Sequence, residues 1–193
     1  MRHRSPHHGF TLIELMVTVS LIAILLAIAG PGFKSSLGSG RLSSTANELT
    51  AAIQLARMEA MRFNQRVVIC RSTDSSTCAA SSANWTGWIV FIDADADGAR
   101  GGTETLLRAG TVSGSLVIKP SSNISGNTDR IIFRPDGLAR AADGVALLTG
   151  TLAACVASTS PADNVREVNI AFGGRTTVRK KNGAGTCTTP TDT

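Results

Sequence analysis

Tyrosine is absent from the 193 residues, aromatic side chains make up only 4%, and all three histidines (His3, His7, His8) fall before position 9. Without a later histidine there is no Ser-His or Cys-His pair for nucleophilic catalysis. No glycine-rich loop ends in Lys-Ser or Lys-Thr, which removes a phosphate-cradling nucleotide site. Nothing therefore marks an enzyme, and the expectation is that the chain has no catalytic residues. Charged residues are only 17%, but hydrophobic ones reach 42%, too many for a chain disordered throughout. Collagen-like and coiled-coil compositions are also excluded. The cationic excess, 19 Lys and Arg against 14 Asp and Glu, is too mild to argue for nucleic acid on its own. The length suits one domain, or one domain with an appendage.

What is present is concentrated at one end. Residues 10–30 read FTLIELMVTVSLIAILLAIAG, with Glu14 as their one charge. A helix of that length spans about 30 Å, the hydrocarbon thickness of a bilayer. No comparable run follows, so one membrane crossing is expected. Arg2 and Arg4 precede the run, and basic flanks favour the cytoplasmic side. The remainder should lie outside that membrane. A secretory signal fits poorly: the run exceeds a usual signal core of about 7–15 residues, and Pro31-Gly32-Phe33-Lys34 follows it in place of an A-x-A-like cleavage site.

Glu14 is the anomaly in the run. A carboxylate in a membrane helix costs about 2.5–3.5 kcal/mol at mid-bilayer and less near the edge. Such a group needs a partner. Cleavage between Gly9 and Phe10 would create one, because the α-amino group of Phe10 on a neighbouring copy is a cation in the same apolar phase. The motif Gly9-Phe10-Thr11-Leu12-Ile13-Glu14 resembles the class III signal of type IV pilins and type II secretion pseudopilins. That resemblance implies cleavage after Gly9 by a prepilin peptidase, methylation of Phe10, and an assembly role for Glu14. Pro31 also falls where this superfamily often carries a helix-kinking proline.

Residues 35–64 read SSLGSGRLSSTANELTAAIQLARMEAMRFN. Leu42, Ala46, Leu49, Ile53, Ala56 and Ala60 recur at steps of three or four, a helical stripe. It should continue the membrane helix and pack one face on a globular domain. Gly38 and Gly40 each weaken a helix by about 1 kcal/mol relative to Ala, so a bend is expected there. Beyond residue 64 the pattern turns to β. Segments 66–70, 88–93, 105–109, 115–119, 130–133, 145–152, 165–172 and 176–179 are short, apolar or β-branched, and separated by turn residues. Two packed sheets would suit them.

Three internal stretches narrow the resemblance. ANELTAAIQLARMEAMRFNQRVVIC (46–70), WIVFID (88–93) with the Asp/Gly-rich loop and ETLLR (104–108) after it, and IIFRPDG (131–137) resemble the GspH/FimT family. The resemblance implies an α+β, type IV pilin-like fold: a long N-terminal helix on a β-rich domain of two antiparallel sheets. The division expected is a leader (1–9), a transmembrane and assembly half-helix (10–30), a periplasmic half-helix (31–64) and a globular domain (65–193). Its implied partners are other minor and major pilins, prepilin peptidase and an inner-membrane assembly platform. Its implied location is the bacterial inner membrane in a single pass with the globular domain periplasmic, then a pilus or pseudopilus. The implied role is a minor pilin of a type IV pilus priming or tip complex, serving biogenesis, twitching motility, adhesion or DNA uptake. The alternatives are a FimT-like DNA receptor for transformation and a GspH-type pseudopilin of type II secretion.

Four cysteines, Cys70, Cys78, Cys155 and Cys187, allow three pairings. All lie on the outer side of the expected membrane, where disulfides persist. Cys70 and Cys78 bracket the short polar stretch RSTDSST, which favours a local pair and leaves Cys155 to Cys187; FimU-like relatives use disulfides in this way. Asp93, Asp95, Asp97, Gly98 and Glu104 fit the D-x-D-x-D-G-x5-E spacing of a Ca²⁺ loop, although strands flank it and Arg100 lies within it. Finally, Arg175, Arg179, Lys180 and Lys181 form the densest basic segment, and residues 164–187 carry a net +4. In a strand Arg175, Thr177 and Arg179 share a face. Family members of FimT type bind DNA through a basic G-R-x-R-like motif; here Gly174-Arg175 is followed by Arg179, with the second arginine displaced.

Overall fold

A computed structural model describes residues 9–81, 84–141 and 145–192. Residues 1–8, which belong to the expected leader and include Arg2 and Arg4, lie outside the described residues. Helix α1 spans Leu12–Phe63. Its N-cap is Thr11, whose side chain accepts the Glu14 amide at 3.3 Å. Thr11 and Glu14 thus stand at the two positions of a capping box, with the acid in the first turn beside the positive end of the helix dipole. The helix ends at Asn64, which takes the left-handed conformation at φ 52° and donates its amide to the Ala60 carbonyl. Asparagine tolerates that conformation better than most residues.

Between Leu12–Ala27 and Gly32–Phe63 the axis turns by 45°. Pro31 lies in that joint and has no amide hydrogen to give the preceding turn. The bend expected at Gly38 and Gly40 is not there. Gly38 serves a close approach instead: a Cβ on it would lie 3.0 Å from Pro161 Cδ, in the loop that closes over the helix.

The strands are β1 Arg66–Arg71, β2 Gly87–Asp93, β3 Leu106–Thr111, β4 Leu116–Pro120, β5 Arg130–Phe133, β6 Ala139–Arg140, β7 Gly150–Val156, β8 Val165–Ala171 and β9 Arg175–Lys181. A short helix α2, Ser122–Gly126, lies between β4 and β5. Two antiparallel sheets result, ordered β3-β2-β1-β5-β6 and β4-β7-β8-β9. This is the α+β arrangement expected.

Three local differences have physical causes. β3 runs on through Gly110, which reads as a turn residue. The Trp88 ring sits opposite it, and a Cβ there would collide with the ring. The apolar segment 145–152 is divided: Leu147 bridges to Arg140 beside β6, and β7 begins only at Gly150 in the other sheet. An apolar run does not reveal where the chain leaves one sheet for the next. β6 and α2 are too short to leave a period.

The expected stripe of α1 is fully buried. It meets Val67, Ile69, Trp88 and Phe133 of the first sheet and Leu152, Ala154, Val168 and Ile170 of the second in one core. Both sheets therefore turn their inner faces to the helix, and the domain closes around the outer half of α1.

Candidate functional site

The inner end of the molecule is the bare half of α1. Phe10 is 82% exposed, and the large apolar residues from Leu12 to Leu26 all exceed half exposure. Neither part of the bent helix is by itself long and apolar enough to cross a membrane, but by length and composition the pair together is. Thr18 and Ser20 return their hydroxyls to the carbonyls of Leu15 and Val17, so they leave no free donor in that half. Glu14 stands one turn from the N-terminal end of the helix. The capping position was legible as Thr-x-x-Glu and gives the acid a local role that reading it only against a neighbour misses.

The opposite surface is the basic edge strand β9. Its register with β8 sets Arg179 opposite Glu167 and Val178 opposite Val168. Val168 and Ile170 face the core, so Thr176, Val178 and Lys180 share the inner side and Arg175, Thr177, Arg179 and Lys181 the outer. The Gln54 amide of α1 donates to Thr176 Oγ1 at 2.8 Å, which agrees with that assignment. The structure thus separates Lys180 from the other three cations. Lys181 is held by Glu167 at 2.8 Å. Arg175 and Arg179 make no ion pair among the described residues and are exposed.

Arg166 does not belong to this surface, although it contributes to the net charge of the segment. It is 2% exposed. Its guanidinium donates to the carbonyls of Asp163 and Val165 and to the hydroxyls of Ser39 and Ser43 on α1, at 2.8 to 3.4 Å. No carboxylate pairs with it among the described residues. It is a clamp between β8 and the helix where the helix leaves the domain. The alternation of β8, which turns residues 166, 168 and 170 inward, was the available signal.

The acidic loop is brought together only in part. Oxygens of Asp93, Asp95 and Asp97 lie within 4.8 Å of one another. Glu104 is not among them: it accepts the amides of Ala94 (2.8 Å) and Gly101 (2.9 Å) and so closes the loop on itself. Asp93 is ion-paired to Arg66 at 3.1 Å and accepts the Gly98 amide. Its pKa is raised, because burial outweighs the attraction of Arg66. The glutamate expected as the bidentate ligand thus accepts amides of its own loop. Arg100, which disturbs the calcium pattern in the sequence, donates to the carbonyls of Ser76 and Glu104. It ties this loop to the one after β1.

That second loop is closed by the Cys70–Cys78 disulfide, and Cys155–Cys187 fastens the C-terminal segment. Asp74 organises the first. It accepts the Thr77 hydroxyl, the amides of Thr77 and Ser76, and the Ser72 hydroxyl. The Thr77 bonds foremost hold its carboxyl well below the usual carboxylate range. The C-terminal segment crosses the outer face of the second sheet, where Thr151 donates to the Thr191 carbonyl. Asn164 clasps the same segment through Gly183 and Thr186.

Comparison with known proteins agrees with this architecture. Residues 4–30 match the prokaryotic N-terminal methylation motif, and residues 45–174 match the family described as type II transport protein GspH. The comparison with curated proteins finds no match. Among solved structures, the type IV minor pilin FimU of Pseudomonas aeruginosa aligns with a TM-score of 0.53 at 23% identity, covering 73% of this chain and 90% of that one. The minor pseudopilin EpsH from the type 2 secretion system of Vibrio cholerae aligns at 0.46 and 12% identity, covering 74% and 97%. The FimU likeness is one of fold. The family match stops at Gly174, one residue before the basic strand. With more than half of its length matched, the chain belongs to the GspH family.

Proposed function

We infer that this chain is a minor pilin or pseudopilin, held in the bacterial inner membrane by residues 10–30 before it joins a filament. The observation that carries the reading is the bare half of α1, apolar on every side and continuous with a half that is anchored in a folded domain. A surface of that kind has no stable place in water, and it needs either lipid or the helices of neighbouring subunits. Prepilin peptidase cuts after Gly9, Phe10 is methylated, and the Glu14 carboxylate meets the α-amino group of a neighbour in the bundle. The β-domain stays periplasmic and offers its surface to other minor and major pilins.

Mass spectrometry of the mature protein tests the processing: a chain that begins at N-methylated Phe10 supports it, and a retained leader refutes it. Glu14→Gln separates the two roles of the acid. It keeps a side chain able to accept at the helix start but removes the charge. Filament incorporation should fall with Glu14→Gln as far as with Glu14→Ala. Incorporation that survives Glu14→Gln would assign the residue to capping alone.

A second reading is supported by Arg175 and Arg179, two exposed cations on one side of an edge strand. They suit DNA phosphates, as in a receptor for DNA uptake. Gel retardation by the full chain in detergent should weaken with Arg175→Ala/Arg179→Ala and fall with salt by nearly one log unit per phosphate neutralised. Equal retardation by variant and parent would dismiss it. Assignment to a type IV pilus tip or to type II secretion is tested by a deletion strain scored together for piliation, transformation and protein export.

A further inference from the structure

Where the bare half of α1 meets the domain, a cavity of about 290 Å³ opens between the helix and the second sheet. Lys34, Leu37 and Arg41 line it from α1, spaced so that they share one helical side. Ser113 and Ser115, just ahead of β4, and Val156 at the end of β7 line it from the domain. No acid lines it. Lys34 and Arg41 are exposed and make no ion pair among the described residues. Phe33, next to Lys34 on the membrane side, is 67% exposed, and Leu37, one helical turn further out, is 48% exposed.

We propose that this cavity holds the headgroup of an anionic phospholipid while the precursor is in the bilayer. The proposal rests on the membrane reading given above. Depth supports it. Counted from Gly30 along a helix, Lys34 lies about 6 Å and Arg41 about 16 Å beyond the apolar run. With the first segment upright, the 45° bend lowers these heights to about 4 and 12 Å. The headgroup layer occupies roughly the first 5–8 Å outside the hydrocarbon. Lys34 is within it, and the long side chain of Arg41 reaches down to it.

Chemistry and size agree with the depth. Two cations and the serine hydroxyls supply donors for a phosphate oxygen and partners for a polar headgroup alcohol. Phe33 offers an apolar ledge to the glycerol end. The volume suits a headgroup and not a pair of acyl chains. Such a site would hold the precursor at a fixed depth and tilt in the periplasmic leaflet until the helix is withdrawn into a filament.

The test reconstitutes the full chain into nanodiscs of dioleoylphosphatidylcholine containing a minor fraction of dioleoylphosphatidylglycerol, and counts retained lipids by native mass spectrometry. Phosphatidylglycerol should be enriched over its bulk share. Lys34→Gln/Arg41→Gln should reduce that enrichment roughly thirtyfold, from about 1 kcal/mol per cation near an anionic surface. Ser115→Phe fills the mouth without changing charge and should abolish the enrichment, whereas Arg62→Gln, at the far end of α1, should leave it intact. Enrichment that survives Ser115→Phe would assign the effect to diffuse charge and overturn the cavity. Displacement of the lipid by inorganic phosphate would make the site one for free anions and overturn the lipid. Insertion with no enrichment, as expected if an acidic side chain of a neighbouring subunit is the true occupant, defeats this proposal alone. Failure to insert in any lipid defeats the membrane reading itself.

Discussion

From Leu12 to Leu26 the large apolar side chains of α1 are more than half exposed, whereas Leu42, Leu49 and Ile53 on the same helix are at most 1% exposed. The inner segment is nearly all apolar, whereas the outer one mixes charged and polar residues among its aliphatic ones. Arrangement sharpens that difference. The inner segment is apolar on all sides and satisfies no domain surface; the outer one confines its apolar residues to a single stripe and gives the rest to water. A helix of the first kind seeks a uniformly apolar medium, and one of the second kind seeks a single partner surface. Joining them end to end makes a rod that is fixed at one end and transferable at the other.

The strongest test removes atoms from each end in turn. Ile53→Ala should lower unfolding stability by about 2–5 kcal/mol, read by denaturant titration of the full chain in detergent. Leu21→Ala should move the same transition by less than about 0.5 kcal/mol while weakening membrane or filament insertion. Comparable losses at the two sites would break the contrast.

The border between the halves is held by Arg166. Arg166→Ala should cost about 1.5–3 kcal/mol, the range for hydrogen bonds to a charged group. It should also raise amide exchange in α1 around Ser39 and Ser43 before the rest of the helix opens. Exchange that rises evenly along α1 would deny the clamp.

Two glycines sharpen the same border. Gly40 has nothing within 4 Å of a built Cβ, so Gly40→Ala should stabilise by up to about 1 kcal/mol through helix propensity. Gly38→Ala should gain less, or lose, because the new methyl meets Pro161. A thermal melt that ranks the two equally would remove the close approach as the reason for Gly38.

The smallest effect is in the loops over the first sheet, where two acids have moved in opposite directions. For Asp74 the folded-state pKa is depressed, so its contribution is present above the unfolded value of 3.8 and is lost as pH falls below it. For Asp93 the folded-state pKa is raised by burial, so its ionised form opposes folding and acidification relieves that strain before Asp74 is touched. On lowering the pH, NMR should show Asp93 protonating first. The Ser76 and Thr77 amides should lose protection only below about pH 3.8. The reverse order would refute both environments.

Much of the candidate surface was readable because it depends on periods. The stripe from Leu42 to Ala60, the alternation in β9 that groups Arg175 with Arg179, and the local Thr-x-x-Glu spacing at Glu14 each follow from residue geometry within one element. The place of Glu104 and that of Arg166 were hidden for a common reason. An acid at the twelfth loop position reads as a ligand until the amides of Ala94 and Gly101 are folded against it. An arginine in a basic segment reads as surface charge until serines of α1, more than a hundred residues earlier, close over it. Gly110 is a third case, since only the Trp88 ring across the strand pair explains it.

The amino-acid order alone determined the bare apolar rod, its acid and cap at the start, the proline joint, and the change from helix to β beyond residue 64, because each is a matter of near neighbours along the chain. The tertiary structure decided which cations remain available, which acid closes a loop, and where the chain passes from one sheet to the other. Those outcomes depend on groups brought together from distant parts of the chain, and burial then fixes whether a polar side chain faces water or must find its partner inside.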